Sequence, residues 1–174
     1  MKYICLLRGI NVGGNRKVDM SDLRAVFEKL GYKDVSTYIN SGNVIFSSSD
    51  DQTGITIEKT LETEFGFAIP AHIIDANRMQ AIAEAIPTTW QNNTTQKSDV
   101  IYLLSDIDVP EIIETIGHKP EIETIIYVPG ALLCNVDRTK QSRASLLKLM
   151  SMPVYKRMTI RNVNTARKLA ELYR

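Results

Sequence analysis

The sequence predicts an α+β fold: a tandem duplication of two β-α-β-β-α-β units, each followed by a helix. Three observations predict it. Short β-branched runs alternate with helical periodicity in the same order twice along the chain. The hairpin turns of the two halves, at Gly42 and Gly130, lie 88 residues apart (130 − 42), and their last helix caps, Asp75 and Asn162, lie 87 apart (162 − 75). A polar stretch from Thr88 to Lys97, interrupted only by Trp90, separates the copies. The expected division is therefore residues 1–87, a linker at 88–97, and residues 98–174.

Each element has a local reason. Tyr3 to Leu7 is a continuous apolar run, read as a buried strand. Asp19 can cap a helix whose apolar positions Met20, Leu23, Phe27 and Leu30 recur at helical spacing, stopped by Gly31. Val35 to Ile39 and Val44 to Phe46 are strand runs around Asn40-Ser41-Gly42-Asn43, a hairpin signal. Thr53 opens a second helix through Ile57, Leu61 and Phe65, with Gly66 after it. Phe67 to Ile74 reads as a strand, and Asp75 caps a helix through Met79, Ile82, Ala83 and Ile86, ended by Pro87.

The second half repeats this. Strand Val100 to Leu104 leads to a helix capped by Asp108, with Pro110 in its first turn, Glu111 at the capping-box position and Val109, Ile112, Ile113 and Ile116 on one face. Strands Thr124 to Val128 and Leu132 to Val136 flank the turn Pro129-Gly130. A helix from Ser142 carries Leu146, Leu147 and Met150, strand Arg157 to Ile160 follows, and Asn162 starts the last helix.

Composition bounds the function. At 174 residues with 44% hydrophobic and 24% charged, the chain can bury a core and stay soluble. Its two cysteines, Cys5 and Cys134, sit inside apolar runs, as small hydrophobes do in a reducing compartment. The apolar run at the start is too short for a signal peptide and no run reaches membrane-spanning length, so a cytoplasmic protein without membrane partners is expected. From Arg138 to Arg174 there are ten Lys or Arg and one acid (10 − 1 = +9), against eleven and nineteen (11 − 19 = −8) in residues 1–137. That basic block either meets an anionic partner or folds over the acidic part of the same molecule.

The first strand and helix are joined from Arg8 to about Asp19, where the second half uses Ser105 to Asp108, an apparent insertion of roughly eight to nine residues. Long βα connections are disproportionately functional. A right-handed crossover makes the first two strands of each unit parallel with the third filling the gap, so Gly9 to Lys17 and the turn Asn40 to Asn43 are expected at the same edge of one sheet.

Three segments carry a resemblance. Leu7-Arg8-Gly9-Ile10-Asn11-Val12-Gly13-Gly14, Thr37-Tyr38-Ile39-Asn40-Ser41-Gly42-Asn43-Val44 and Thr159-Ile160-Arg161-Asn162-Val163-Asn164-Thr165 resemble the signatures of the domain-of-unknown-function family 1697. The likeness spans essentially the whole chain. It departs at Asn40, where the family commonly has Gln, and at Val163, where it has Trp. The resemblance implies two ferredoxin-like halves and implies no reaction.

Chemistry is then argued from residue types. Gly9, Gly13 and Gly14 permit positive torsions and close approach, so consecutive amides can cradle an anion, with Arg8, Arg16 and Lys17 adding charge and Asn11 a polar contact. The loop is no Walker motif, and no G-x-G-x-x-G occurs. Asp19 and Asp22 already occupy the first turn of the following helix, so a loop folded on its own asparagines is the competing reading. Asn40, Ser41, Gly42 and Asn43 are hairpin chemistry in their own right and join the site through their expected neighbours. Asn162 reads as a cap, and Arg161 before it has no counterpart in the first half, where Ile74 stands. His72 and His118 have no carboxylate or cysteine at ligand spacing, so neither a metal, a cofactor nor a triad is expected.

Three classes of function stay open. One is a binding module for an anionic ligand, whether a nucleotide, another phosphate compound or nucleic acid, although Asn43 to Ser47 lacks the glycine-aromatic pattern of an RNA-recognition strand. Another is an enzyme on a small polar substrate oriented by Arg8, Asn11 and Arg161, with no evident base or nucleophile. The last is an interaction protein that pairs with itself as a homodimer.

Overall fold

A computed structural model of the chain describes residues 1–14, 16–49 and 54–172. It is a mixed α+β structure of two compact units, Met1–Asn77 and Arg78–Leu172, each built on a four-stranded antiparallel sheet. The division falls at 77/78 rather than at 87/88. Met79 shows why: its sulfur accepts a hydrogen bond from the buried hydroxyl of Tyr102 at 3.3 Å, so the helix following Asp75 packs with the later residues.

In the first unit β1 (Lys2–Leu7), α1 (Met20–Lys29), β2 (Lys33–Tyr38), β3 (Asn43–Ser47), α2 (Gly54–Phe65) and β4 (Ala71–Asp75) follow in order. The sheet order is β2-β3-β1-β4, with β3 antiparallel to both β1 and β2. Strand alternation sends Tyr3, Cys5 and Leu7 to the helix-covered face, where Leu23, Val26 and Phe27 of α1 and Ile57 and Leu61 of α2 complete the core. Phe46 is its aromatic centre, with Phe27 edge-on at 5.4 Å and Tyr32 at 4.5 Å. Burying a side chain such as Phe27 contributes about 1.5–3 kcal/mol.

Both ends of α1 are closed locally. The Asp19 side chain accepts from the Ser21 amide at 2.7 Å. At the other end Gly31 (φ +89°) donates to Glu28 and Tyr32 donates to the Phe27 carbonyl, a Schellman arrangement that sets Tyr32 against Phe27. The expected cap of α2, Thr53, lies outside the described residues. Strand β4 begins at Ala71, later than the expected Phe67, because Pro70 has no amide to donate to a ladder.

The second unit takes most of α3 (Ala76–Ala85), then β5 (Gln96–Leu103), α4 (Ile112–Thr115), β6 (Glu123–Val128), β7 (Ala131–Asp137), α5 (Ser145–Leu149), β8 (Met158–Asn162) and α6 (Val163–Leu172). Its sheet order is β6-β7-β5-β8. Its core gathers Ile101, Leu103, Ile112, Ile116, Ile125, Leu132, Leu149 and Met158.

Three local expectations fail here. The linker's last residues, Gln96 and Lys97, belong to β5, where they pair with Asp137 and Val136 of β7, and the Asn135 side chain adds a bond to the Gln96 side-chain oxygen at 3.0 Å. Asp108 caps no helix: its Oδ1 accepts from the Gly130 amide at 2.7 Å and the Tyr127 hydroxyl at 3.1 Å, and α4 begins only at Ile112. The connections compared above are thus residues 8–19 and 104–111, twelve against eight, so the first exceeds the second by four. Finally, Ser142 lies in a single 3-10 turn and α5 starts at Ser145, whose amide is held by the Glu123 carboxylate at 3.1 Å. Leu149 is buried there while Leu147 and Met150 face solvent.

Candidate functional site

The Leu7 amide donates to the Gly42 carbonyl at 2.8 Å and the Arg8 amide to the Pro70 carbonyl at 3.0 Å, after which the chain leaves the sheet. Gly9 turns it at φ +74° and Ile10 drops into the core. Asn11 follows in the left-handed region (φ +54°), which asparagine tolerates better than most residues. Its Nδ2 donates to the Val18 carbonyl at 3.0 Å and to the Asn40 carbonyl at 2.9 Å, and its Oδ1 accepts from the Val18 amide at 2.9 Å. An asparagine amide has two N–H donors, and both are spent. Asn11, expected to contact a ligand, is therefore the clamp that closes the loop on itself and ties it to the hairpin.

The hairpin side of this contact depends on Gly42. It is buried at φ +76°, and a Cβ there would stand 2.7 Å from Ile10 Cδ1 and 2.8 Å from Leu7 Cβ. Only glycine lets the turn approach the loop this closely. Asn43 is fully buried and donates to the Tyr38 carbonyl at 2.9 Å and to Ser41 Oγ at 3.0 Å, so it staples the turn. Asn40 lends its carbonyl to the clamp, and its residue stays exposed.

Between loop, turn and the start of α1 lies an open groove of about 600 Å³, lined by Asn11, Gly14, Lys17, Val18, Asp19, Met20 and Asn40. Gly13 and Gly14 form the exposed tip, both left-handed, and Asn15 lies outside the described residues. Lys17 and Asp19 are exposed and flank Val18, which is buried. Two hydrogen bonds from Ser21 hold the Asp19 carboxyl below the usual carboxylate range, so it is a charged wall of the groove. Arg16 (φ +51°) is turned away, its guanidinium 5.7 Å from the centre of the Phe67 ring. Val18, Asp19 and Met20 were absent from the expected site. Their place next to Lys17 in an extended segment was the available signal.

Arg161 and Asn162 belong to the second unit. Asn162 accepts from the Thr165 amide at 2.9 Å and starts α6, and Arg161 donates to the Ile160 carbonyl at 2.9 Å. Much of the basic block is engaged inside this unit. Arg138 donates to Asn93, Gln141 and Asn92, Arg157 grips Asp106 through two bonds of 2.9 and 2.7 Å, and Arg167 donates to the Trp90 and Pro87 carbonyls at 2.8 and 3.0 Å. The His118 ring nitrogen lies 3.2 Å from the Glu123 carbonyl. Among the described residues no group of three His, Cys, Asp or Glu could hold a metal, and no helix is long and apolar enough to cross a membrane.

A conserved bacterial protein of known structure, SP0830 from Streptococcus pneumoniae, is similar to this chain over its whole length. The two are 29% identical and superpose with a TM-score of 0.79, covering 99% of this chain and 98% of the other. No curated protein matches. The family model described as a protein of unknown function, DUF1697, matches residues 1–133, which includes the loop, the hairpin and the groove between them. The chain belongs to that family.

Proposed function

We propose that the protein is a binding module for a small anionic ligand held in the groove of the first unit. The observation that carries this is the groove itself: two segments distant in sequence are clamped together by Asn11, and the exposed Lys17, the tip glycines and Asn40 are left facing solvent around it. Left-handed torsions at Asn11 and Arg16 support the reading, since backbone strain of this kind is retained where the surroundings over-determine it and clusters at binding sites. The groove has the size of ordinary small-molecule sites. A small ligand is favoured over nucleic acid because Arg138, Arg157 and Arg167 of the basic block are engaged with Asn92, Asn93, Asp106, Pro87 and Trp90.

We further infer that the two units are copies of one ferredoxin-like plan. Equivalent strand orders support this, as do paired bonds: Leu7 to Gly42 matches Leu103 to Gly130, and Arg8 to Pro70 matches Leu104 to Arg157. The free, buried thiols of Cys5 and Cys134 support a reducing, cytoplasmic setting.

The test is calorimetric titration of the full chain with inorganic phosphate, pyrophosphate and mononucleotides, repeated with Lys17→Ala. Lys17 is exposed, so the variant keeps its melting temperature while its affinity for the bound anion falls at least tenfold. Absence of binding by every anion in the series removes the proposal.

A further inference from the structure

Resting on the reading that this groove takes a small anion, we propose that its ligand is a sugar phosphate: a monophosphate at Lys17 joined to neighbouring hydroxyls that donate to Asp19. Among the described residues, the lining side chains carry one cation, Lys17, and one carboxylate, Asp19. A free polyphosphate entering there gains one ammonium and meets one like charge. A ligand that is anionic at one end and rich in O–H donors at the other satisfies both walls.

Three further features fit this class. The groove, at about 600 Å³, is many times the size of an orthophosphate and accommodates a phosphorylated ring. Val18 is buried and its neighbours Lys17 and Asp19 are exposed, with Asp19 itself in extended conformation, so the two charged residues stand on either side of a buried one. Both bonds from Ser21 fall on Oδ1 of Asp19, the Asp22 amide acts on the same carboxyl, and the residue is exposed to solvent. The exposed Asn40 side-chain amide, a donor and an acceptor at once, suits hydroxyl groups, which are both as well.

The experiment compares ribose 5-phosphate, ribose and inorganic pyrophosphate on the wild-type chain, on Asp19→Asn and on Lys17→Ala, by calorimetry. Asparagine caps a helix about as well as aspartate, so α1 is kept; Asp19→Ser, also a capping residue, serves if the first variant does not fold. The expected pattern is tighter binding of ribose 5-phosphate than of pyrophosphate by the wild type. Asp19→Asn then loses at least tenfold for the sugar phosphate and gains for pyrophosphate, while Lys17→Ala weakens both and ribose alone does not bind. Pyrophosphate bound as tightly as ribose 5-phosphate, or an Asp19 variant that strengthens both, overturns the sugar-phosphate assignment and leaves the small-anion reading standing. Failure of both anions to bind, or indifference of both to Lys17→Ala, takes down that reading and this one together.

Discussion

Asn11 and Asn40 are joined by a hydrogen bond of 2.9 Å from the side chain of the first to the carbonyl of the second, across 29 residues of sequence. With the two bonds that the same side chain makes to Val18, it decides where the glycine-rich loop stands. Asn11→Ala leaves the Val18 amide and carbonyl and the Asn40 carbonyl without this partner and places alanine at φ +54°. The expected loss is about 2–4 kcal/mol. Asn11→Gly keeps the torsion at no steric cost and loses only the bonds, so it is the milder of the two in chemical denaturation. Equal stability of the two variants and the wild type would contradict the clamp.

Gly42 tests the close approach independently. Gly42→Ala forces a methyl against Ile10 and Leu7 at a positive φ, for an expected cost of about 2–4 kcal/mol. Gly13 has a similar torsion, and a methyl there would meet nothing within 4 Å. Gly13→Ala therefore costs only the torsional share, about 1–2 kcal/mol. The denaturation midpoints of the pair measure packing and torsion separately.

Arg167 holds the carbonyls of Pro87 and Trp90, and Trp90 is the only tryptophan of the chain. Arg167→Ala should destabilise by about 1–3 kcal/mol and shift Trp90 emission to longer wavelength as the segment loosens. Arg167→Lys rescues little, because an ammonium lacks the fork that reaches two carbonyls. Unchanged emission would show that the segment is held by other means.

Two kinds of carboxylate give opposite pH slopes. Burial pushes the Asp99 carboxyl up despite the Lys97 ammonium 3.3 Å away. Its native state therefore favours the proton, and this contribution is complete below about 3.8 and lost as pH rises through the raised native value. Asp99→Asn should stabilise the protein at neutral pH, with the advantage vanishing in acid. Hydrogen bonds from Arg157 hold Asp106 down instead, so its contribution is present above about 3.8 and lost as pH falls through the lowered value. Asp106→Asn should flatten the acid end of the stability curve. Denaturant midpoints between pH 3 and pH 8 read both slopes, and parallel curves for wild type and either variant would refute that assignment.

What was legible in the sequence was whatever neighbours in sequence decide. The caps Asp19 and Asn162, the Gly31 stop of α1, the hairpin at Gly42 and the continuous apolar run of β1 are all settled within a few residues, so local chemistry names them. Topology, through the crossover rule, then brings loop and turn to one edge. Asp108 marks where this reasoning ends. In sequence it has the look of a helix cap, yet the Gly130 amide and the Tyr127 hydroxyl compete for the same oxygen and win, because they are delivered by a strand pair formed elsewhere.

The same limit governs the site. The sequence by itself determined which residues could serve: three glycines, three cations and several asparagines around one long connection. Tertiary structure alone decided which are left over. Asn11 spends its amide on backbone carbonyls and Asn43 on the Tyr38 carbonyl and Ser41 Oγ, Arg16 lies on Phe67, and Arg138, Arg157 and Arg167 of the basic block are engaged within the second unit, while Lys17, Asp19 and Asn40 line the groove. A hydrogen-bonding group can be spent only once, and its partner is chosen by a distance that no local pattern encodes.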